Sequence, residues 1–364
     1  MQKYRPIFIV GTGRCGSTLL SNLLNQHPDL LSVSEFFMSV TDFCTVLSPI
    51  RADVEINGSE FWELISRVMP KQDILLKNSL QIPELLYPFT DSDRRFNQNN
   101  GIPALLQTTL PLLCAAPKAR ENKCNPDALY DKISKSVTKH PVQTLEQHYR
   151  YLFLYLCQLF GRQFWIERSG SSIRHLPYLV QNFPDAQFIH IVRDGRNCAI
   201  SMEEHTGFRM GLISIQLAEI LGYDPYESNR RDNLSDLPDD LANFLPENFS
   251  AAAFRDYRQS PSLYGIYWSG EIIEALRLLS IVPSEQVLTI QYEEILNQPK
   301  AEMSKLVQFI DNSLLDLEWL NNLSAQIRPP RAQWQILDPD ERHFLEEACR
   351  PGFNALQDQG LTWK

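Results

Sequence analysis

One stretch near the amino terminus constrains the fold more than any other part of the chain. Residues 7–10 form a short apolar run with β-branched members, typical of a buried strand, and Gly11, Gly13 and Gly16 follow it directly. From Ser17 onward, leucines recur at helical spacing. Glycines let the backbone adopt positive φ and turn successive N–H groups toward an anion, and a helix N-terminus adds positive charge. The stretch therefore predicts a strand, a phosphate-binding loop and a helix.

The loop differs at one position from the phosphate loop of the NTPases. Residues 11–18 fit the pattern G-x-x-x-x-G-K-[ST], except that Ser17 stands in the place of the lysine. That lysine contacts the β and γ phosphates of a triphosphate, and a serine has no charge to replace it. Arg14 instead brings a planar cation into the loop, with a geometry suited to phosphate or sulfate. The loop thus predicts a bound anion other than a triphosphate.

A family resemblance follows from these residues and those after them. The letters GTGRCGSTLL, followed by HPDLLSVSE, resemble the 5′-phosphosulfate loop of sulfotransferases that use 3′-phosphoadenosine 5′-phosphosulfate (PAPS). The tyrosylprotein and bacterial branches of that family have P-R-S-G-T-T-L, then H-P, then a catalytic glutamate. Here Gly13 replaces the proline, Cys15 a serine and Ser17 a threonine, and no charge is lost. The resemblance implies that the phosphosulfate is bound by Arg14, Cys15, Gly16, Ser17 and Thr18.

A βαβ unit is predicted farther along the chain. Residues 163–167 and 187–192 have the apolar composition of buried strands, and a helical pattern over 171–183 lies between them. A strand, a helix and a strand at this spacing imply a parallel sheet with a right-handed crossover. Ligands of such sheets bind at the carboxyl ends of the strands. The residues after 192 are therefore placed for binding.

Those residues extend the resemblance. The run VRDGRNCAIS is similar to the family pattern R-D-x-R-x-x-x-x-S, whose first arginine and serine hold the 3′-phosphate of the donor. The matching residues are Arg193 and Ser201, and Arg196 matches the second arginine. A 3′-phosphate is the group that distinguishes PAPS from ATP. The resemblance thus implies a second anion site, for this phosphate.

Two residues are candidates for the general base. Glu35 lies where the related branches place their catalytic glutamate, and apolar neighbours such as Val33 and Phe36 favour the partial desolvation that makes a carboxylate a useful base. His205 is the alternative, because a neutral imidazole accepts protons near pH 7. We prefer Glu35, since a lone histidine at a helix end is more often a cap or a surface residue.

Further cations complete the candidate site. Arg168 follows the strand at 163–167, at a position that is lysine in the related branches. Arginine keeps the charge but cannot give up a proton, so we expect it to stabilise negative charge on the leaving phosphate or the sulfuryl oxygens. Near the C-terminus, Arg328 and Arg331 are candidates for contacting the 3′-phosphate, as basic residues do in some members of the family.

Composition excludes several classes of protein. The formal net charge of −10 and the absence of a basic stripe argue against a nucleic-acid partner. The seven cysteines are scattered without C-x-x-C spacing, which predicts reduced thiols and no zinc site, and the seven histidines are equally dispersed, so no metal is expected. Residues 1–10 lack the apolar core of a signal peptide, and no later stretch has the length of a membrane span. We expect a soluble cytoplasmic protein.

The pattern predicts one α/β domain with P-loop-like, three-layer α/β/α architecture: a central parallel sheet, flanking helices and helical insertions. Within it we expect a helix from Pro141 to Phe160, closed by Gly161, and a weakly regular stretch over 206–260. The expected parts are a core at about 5–35, 141–205 and 262–312, a helical insertion at about 36–140, a possible lid or acceptor flap at about 206–260, and a closing segment at 313–364.

The function implied is transfer of a sulfuryl group from PAPS to a hydroxyl or amine, with adenosine 3′,5′-bisphosphate (PAP) as the product and no metal. The acceptor stays open among small molecules, lipids, carrier-bound groups and carbohydrates. Two other functions remain open: a P-loop kinase or NTPase, which the missing loop lysine disfavours, and a nucleotide-binding module without catalysis.

Overall fold

The computed structural model describes residues 5–37, 41–42, 45–46, 54–88, 95–97, 100–323, 327 and 333–363. Its centre is a parallel sheet of five strands in the order β2-β7-β1-β8-β9. These strands are β1 (Ile7–Val10), β2 (Leu30–Ser34), β7 (Phe164–Arg168), β8 (Gln187–Val192) and β9 (Val287–Gln291). Two short antiparallel pairs join β3 (Thr41–Asp42) to β4 (Thr45–Val46), and β5 (Glu55–Ile56) to β6 (Gln143–Thr144). The parallel α/β sheet confirms the predicted fold class.

Helices surround the sheet along the whole chain. Up to β7 they are α1 (Ser17–Leu24), α2 (Gly58–Ser66), α3 (Pro70–Lys77), α4 (Ala104–Gln107), α5 (Thr109–Ala115), α6 (Pro117–Glu121), α7 (Pro126–Val137) and α8 (Leu145–Phe160). After β7 they are α9 (Leu176–Asn182), α10 (Gly195–Glu203), α11 (Thr206–Leu221), α12 (Asp239–Ala242), α13 (Ala251–Asp256), α14 (Pro261–Leu279), α15 (Tyr292–Asn297), α16 (Pro299–Ile310), α17 (Leu317–Asn322) and α18 (Pro339–Gln357).

Alternation along β1 produces two apolar faces and hence three layers. Ile7 and Ile9 point to one face, where they pack in a cluster with residues of α1, α16 and α17. Phe8 and Val10 point to the other face, where the cluster includes α8, α9, α11 and the helices between β2 and β7. Because β1 is the middle strand and is buried on both sides, it is apolar throughout, as the sequence predicted.

Helix α8 begins later than its sequence pattern suggested. We expected it to start at Pro141, but Thr144 is the N-cap and forms a capping box with Gln147, so the helix starts at Leu145. A capping box satisfies two free N–H groups at once, which a proline at the first position cannot do. The C-terminal end agrees with the prediction, since Gly161 closes the helix with φ 62°.

Two elements were not expected. Strand β2 pairs with β7 from Leu30 to Ser34 and forms one edge of the sheet, although the sequence pattern had indicated no strand there. Helix α11 occupies the start of a region that we had predicted to be weakly regular. It carries glycines, which lower helix propensity, but Met210, Ile213 and Leu217 are fully buried. Tertiary packing therefore overrides local propensity in α11.

The described residues between β2 and α8 include helices α2 to α7, and they correct the expectation that all thiols are reduced. Cys114, in α5, and Cys124, before α7, form a disulfide. The free cysteines of the described residues, at positions 15, 157, 198 and 349, are all buried. In the described part of the chain, no helix is both long enough and apolar enough to cross a membrane. The cytoplasmic location stays a prediction.

Candidate active site

A cavity of about 480 Å³ lies at the carboxyl edge of the central sheet. Each of the five strands delivers a lining residue at or after its carboxyl end. These residues are Arg14 in the loop after β1, Glu35 after β2, Arg168 at the end of β7, Arg193 after β8 and Tyr292 after β9. Carboxyl ends of parallel strands meet at one edge, so residues far apart in the chain converge there.

The loop after β1 depends on its glycines. Gly13 and Gly16 have φ values of 79° and 91°, which favour glycine. A Cβ on Gly16 would lie 2.0 Å from the Tyr292 ring, and one on Gly13 would lie 2.3 Å from Phe208. Helix α1 starts at Ser17, immediately after the loop. The sequence therefore folds into a tight turn at a helix N-terminus, which is the arrangement that binds anions.

Arg14 connects the two anion sites that the sequence predicted. Its Nε donates to the Ser201 hydroxyl over 3.0 Å, although the two residues lie on different elements. Its carbonyl accepts from Nη1 of Arg193 over 2.8 Å. The Arg193 guanidinium also stacks on Tyr292, with 5.0 Å from its central carbon to the ring centroid. Arg14 and Arg193 thus line the cavity together, and Ser201, which is not a lining residue, is connected to it through Arg14.

Glu35 and Arg168 form a buried ion pair beside this group. A guanidinium nitrogen of Arg168 donates to Oε1 of Glu35, and the N–H of Gly170 donates to Oε2 over 2.8 Å. The side chains are only 3% and 9% exposed for Arg168 and Glu35, respectively. Arg168 also reaches the Thr18 hydroxyl at 3.2 Å, so the pair is connected to the start of α1.

Backbone strain is concentrated at the cavity. Arg14, Glu35 and Ser171 all line it, and they have φ values of 52°, 58° and 55°. Left-handed backbone at a non-glycine residue costs about 1–3 kcal/mol, and such residues cluster at functional sites. Three of them around one cavity support its assignment as the active site.

A second carboxyl group lies behind the ion pair. Glu167 is fully buried in β7, and burial raises the pKa of its carboxyl to about 8, with a smaller upward contribution from the charge of Glu35. The Ser169 hydroxyl donates to Oε1 of Glu167 over 2.6 Å. At neutral pH Glu167 is therefore mainly protonated, and Glu35 is the anionic partner of Arg168.

His205 is paired with a residue that the sequence analysis missed. Its Nε2 lies 2.7 Å from Oε2 of Glu84, and its Nδ1 accepts from the backbone N–H groups of Gly207 and Phe208 at the start of α11. Since Nδ1 accepts these bonds, the hydrogen-bond pattern assigns the proton to Nε2, which donates it to Glu84. In this arrangement neither ring nitrogen has a free lone pair for an acceptor hydroxyl.

Glu84 also contacts the glycine-rich loop. Its Oε1 accepts from Nη1 of Arg14 over 3.2 Å. Burial raises the pKa of the Glu84 carboxyl, but the hydrogen bond from His205 and the charge interactions with His205 and Arg14 outweigh burial and hold that pKa below its usual value. Glu84 lies in the run LQIPELLYP, which matches no motif, so nothing in the sequence identified it.

The far side of the cavity is apolar. We call this surface the apolar wall, and it consists of Ile82, Pro83, Leu85, Leu86, Ala104 and Leu112. It comes from the segment between α3 and α4 and from α4 and α5. Phe208 of α11 adds an aromatic ring. The cavity therefore has a charged side at the sheet and a mainly apolar side at the insertion, where Glu84 is the charged residue among the described lining residues.

Comparisons with known proteins identify the family. A sequence model of the sulfotransferase family matches residues 6–72 and 114–263, well over half of the chain. The chain belongs to the sulfotransferase family. The matched segments include the glycine-rich loop, Glu35, Arg168 and the run from Arg193 to His205. No curated protein matches this sulfotransferase at a significant level.

Solved structures with a similar chain trace also include sulfotransferases. The sulfotransferase domain from the curacin biosynthetic pathway has a TM-score of 0.49 at 12% identity, over 99% of each chain. The sulfotransferase domain of the Synechococcus PCC 7002 olefin synthase has a TM-score of 0.44 at 13% identity, over 99% of this chain and 97% of that one. A sulfotransferase from Mycobacterium avium has a TM-score of 0.46 at 16% identity, over 98% of this chain and 77% of that one. The family assignment rests on the sequence match.

Not every predicted site residue of the sulfotransferase lines the cavity. Arg196 makes two hydrogen bonds to the Asp194 carboxylate and lies 3.8 Å from the centroid of Trp334, beside a separate cavity of about 290 Å³. The Cys15 side chain is buried beneath the loop, where burial raises the pKa of its thiol. Arg328 and Arg331 lie outside the described residues. Gly16, Ser17 and Thr18 line the main cavity, whereas Ser201 does not, and the binding roles of all four stay predictions.

Metal chemistry has no visible site in the part of the chain that the structure covers. Among those residues, no group of three or more His, Cys, Asp or Glu side chains is arranged to hold a metal ion. The charges at the cavity of this sulfotransferase come instead from arginines and glutamates.

Proposed function

We propose that the enzyme transfers a sulfuryl group from PAPS to a hydroxyl or amine of an acceptor and releases PAP. One observation carries the proposal. Arg14 and Ser201 lie 187 positions apart in the sequence, yet a 3.0 Å hydrogen bond joins them beside the cavity. These are residues of the two anion sites that a donor with a 5′-phosphosulfate and a 3′-phosphate needs.

The donor is bound, in this proposal, along the carboxyl edge of the sheet. The N–H groups of the glycine-rich loop, the N-terminus of α1 and Arg14 take the phosphosulfate. Arg193 and Ser201 take the 3′-phosphate. In support, Arg193 is held by the Arg14 carbonyl and by the Tyr292 ring, so its guanidinium is oriented before a ligand arrives. An oriented cation loses less freedom on binding.

Glu35 is proposed as the general base. It takes the proton of the acceptor hydroxyl while the acceptor oxygen bonds to sulfur and the bond from sulfur to the bridging oxygen breaks. Arg168 stabilises the charge that develops on the sulfuryl oxygens and the leaving phosphate. The geometry favours Glu35 over His205, whose two nitrogens are both engaged in hydrogen bonds. Protonated Glu167 adds no second negative charge behind Arg168 at neutral pH.

The acceptor, we propose, is an uncharged small molecule or lipid-like group with an apolar body and one reactive hydroxyl. The apolar wall supports this choice, because it offers apolar contact area, and the charged residue within its segment, Glu84, is already paired with Arg14 and His205. The apolar wall lies within residues 73–113, which the family match does not include. The proposal thus assigns acceptor preference to a segment of the chain that the family model does not match.

The proposal is tested by transfer of labelled sulfate from PAPS to a panel of acceptors. We expect activity with apolar alcohols and phenols, and Glu35→Gln should lose at least about 100-fold in kcat while PAP binding is kept. The matched control is Glu274→Gln, whose ion pair with Arg277 is exposed on α14. Full activity in Glu35→Gln would exclude it as the base, and tighter binding of Mg-ATP than of PAP would overturn the donor assignment.

A further inference from the structure

The ion pair of Arg14 and Glu84 is more exposed than the other ion pairs of the described cavity arginines. The side chains of Arg14 and Glu84 are 34% and 33% exposed, whereas those of Arg168 and Glu35 are almost completely buried. A third cavity arginine, Arg174, is paired with Glu271 at 3.3 Å. An exposed pair exchanges partners more readily than a buried one, because water and other ions can solvate both charges as they separate.

Glu84 occupies one of the two terminal nitrogens of the Arg14 guanidinium, which faces the cavity where an anion would bind. In the structure, Nε of Arg14 donates to Ser201 and Nη1 donates to Glu84. A phosphosulfate in the glycine-rich loop would approach this guanidinium, where a carboxylate already lies. Like charges at such short range repel each other in the partly dry environment of a cavity. The anion and Glu84 therefore compete for Arg14.

His205 keeps the competitor in place. Its Nε2 is bonded to Oε2 of Glu84, and its other nitrogen is fixed by the N-terminal N–H groups of α11. Glu84 can thus release Arg14 without leaving the cavity wall. It also lies outside the segments matched by the family model, so the arrangement belongs to this chain's own insertion.

We propose that Glu84 is a built-in competitor for the sulfate-bearing end of the donor, which lowers the affinity of the enzyme for donor and product alike. The proposal rests on the donor site given under the proposed function. Its consequence is faster release of PAP, a step that limits turnover in many enzymes.

The test is to remove the charge of Glu84 and measure anion binding directly. Glu84→Gln can keep the bond from His205 at its amide oxygen, but it carries no charge, and its NH2 group replaces the oxygen that accepts from Arg14. We expect calorimetry to show PAP and inorganic pyrophosphate binding about tenfold tighter than to the wild type at low salt, with a smaller gain at high salt. Glu84→Ala should show the same direction.

The control is Glu227→Gln. Glu227 forms an ion pair with Arg67 at 3.2 Å, the same separation as Arg14 and Glu84, and its side chain is 22% exposed. Neither residue lines the cavity. This variant should bind PAP and pyrophosphate as the wild type does, which separates local competition from the loss of one negative charge on the molecule.

The outcomes separate the inference from the function on which it rests. Unchanged affinity in Glu84→Gln would overturn the competition, and weaker binding would show instead that Glu84 holds Arg14 in position for the donor. Wild-type enzyme that binds pyrophosphate but not PAP would contradict the nucleotide donor, while the pyrophosphate comparison would still decide the role of Glu84. Wild-type enzyme that binds neither ligand would remove both proposals.

Discussion

Gly16 is the position in the glycine-rich loop with the least room for a side chain. Its φ of 91° is unfavourable for other residues, and a Cβ would lie 2.0 Å from the Tyr292 ring. We predict that Gly16→Ala displaces Tyr292 from Arg193, weakens PAP binding at least about tenfold and lowers the free energy of unfolding by about 1–3 kcal/mol. Calorimetry and urea denaturation measure the two effects.

The matched control is Gly161→Ala at the end of α8. Gly161 also has positive φ, 62°, but a Cβ added there would have no other atom within 4 Å. This variant should lose stability by about 1 kcal/mol from backbone strain alone and bind PAP normally. Equal PAP affinities for the two variants would contradict the role given to the contact between Gly16 and Tyr292.

Glu167 predicts a pH dependence of stability. Burial raises the pKa of this carboxyl to about 8 from 4.5 in the unfolded chain, so between these pH values the folded state holds a proton that the unfolded state has released. The free energy of unfolding therefore falls as pH rises through this window. Glu167→Gln removes the fall, and its stability relative to wild type should increase by a few kcal/mol from about pH 5 to about pH 8.5. If urea denaturation gives the same difference in stability between Glu167→Gln and the wild type at both pH values, the raised pKa of Glu167 is excluded as the cause.

Single residues were predictable where the motif is local. Arg14, Ser17 and Thr18 lie close together in the loop, so their shared position at the cavity needs only a strand, a turn and a helix. Tyr292 and Glu84 could not be found in this way, because each reaches the cavity from an element whose placement depends on the tertiary fold. Arg196 fits the family pattern, yet Asp194 and Trp334 hold it away from the main cavity.

At the scale of elements, the N-cap of α8 makes a testable contribution. The Thr144 hydroxyl accepts from the N–H of Gln147, and the Gln147 side chain returns a bond to the N–H of Thr144. Thr144→Ala should lower the free energy of unfolding by about 1 kcal/mol, measured by urea denaturation. As a control, Thr138→Ala removes a hydroxyl bonded to Ser134 on the exposed end of α7, and its effect should stay within about 0.5 kcal/mol. Equal losses of stability in Thr144→Ala and Thr138→Ala would argue against a capping role for Thr144.

Elements were predicted where hydrophobic periodicity is strong. The strands at β1, β7, β8 and β9 and the helix α8 were found within a few residues of their observed limits. Strand β2 was missed because five residues of mixed polarity carry little pattern until β7 lies beside them. Helix α11 was missed because its buried residues occur on more than one side and its glycines resemble loop punctuation.

A buried ion pair connects distant parts of the whole molecule. Lys71 of α3 is fully buried, and its ammonium lies 2.7 Å from a carboxylate oxygen of Asp224, after α11. Lys71→Met removes the ammonium that is paired with this carboxylate and should lower the free energy of unfolding by about 3–5 kcal/mol. The double variant Lys71→Met/Asp224→Asn should recover part of the loss. If the double variant is less stable than Lys71→Met, the loss of stability in Lys71→Met does not come from a broken ion pair.

For the molecule as a whole, two stretches of sequence predicted the parallel sheet and the family: the glycine-rich loop after β1 and the run that starts at Arg193 after β8. Both motifs follow the carboxyl ends of strands. The division into core, insertion, flap and closing segment stays a prediction. The acceptor side of the cavity was beyond sequence reasoning, since the apolar wall resembles any helical core until α4 and α5 are seen to leave it facing the cavity. The disulfide between Cys114 and Cys124 was equally hidden, because cysteine spacing alone does not distinguish a bonded pair.

The apolar wall comes from one contiguous stretch, whereas the charged side of the cavity is assembled from five strand ends. If the proposed function holds, acceptor choice and donor chemistry are therefore encoded by separate parts of the gene. A chimera that carries residues 79–115 of a relative on this scaffold is expected to inherit the relative's range of alcohols while using the same nucleotide.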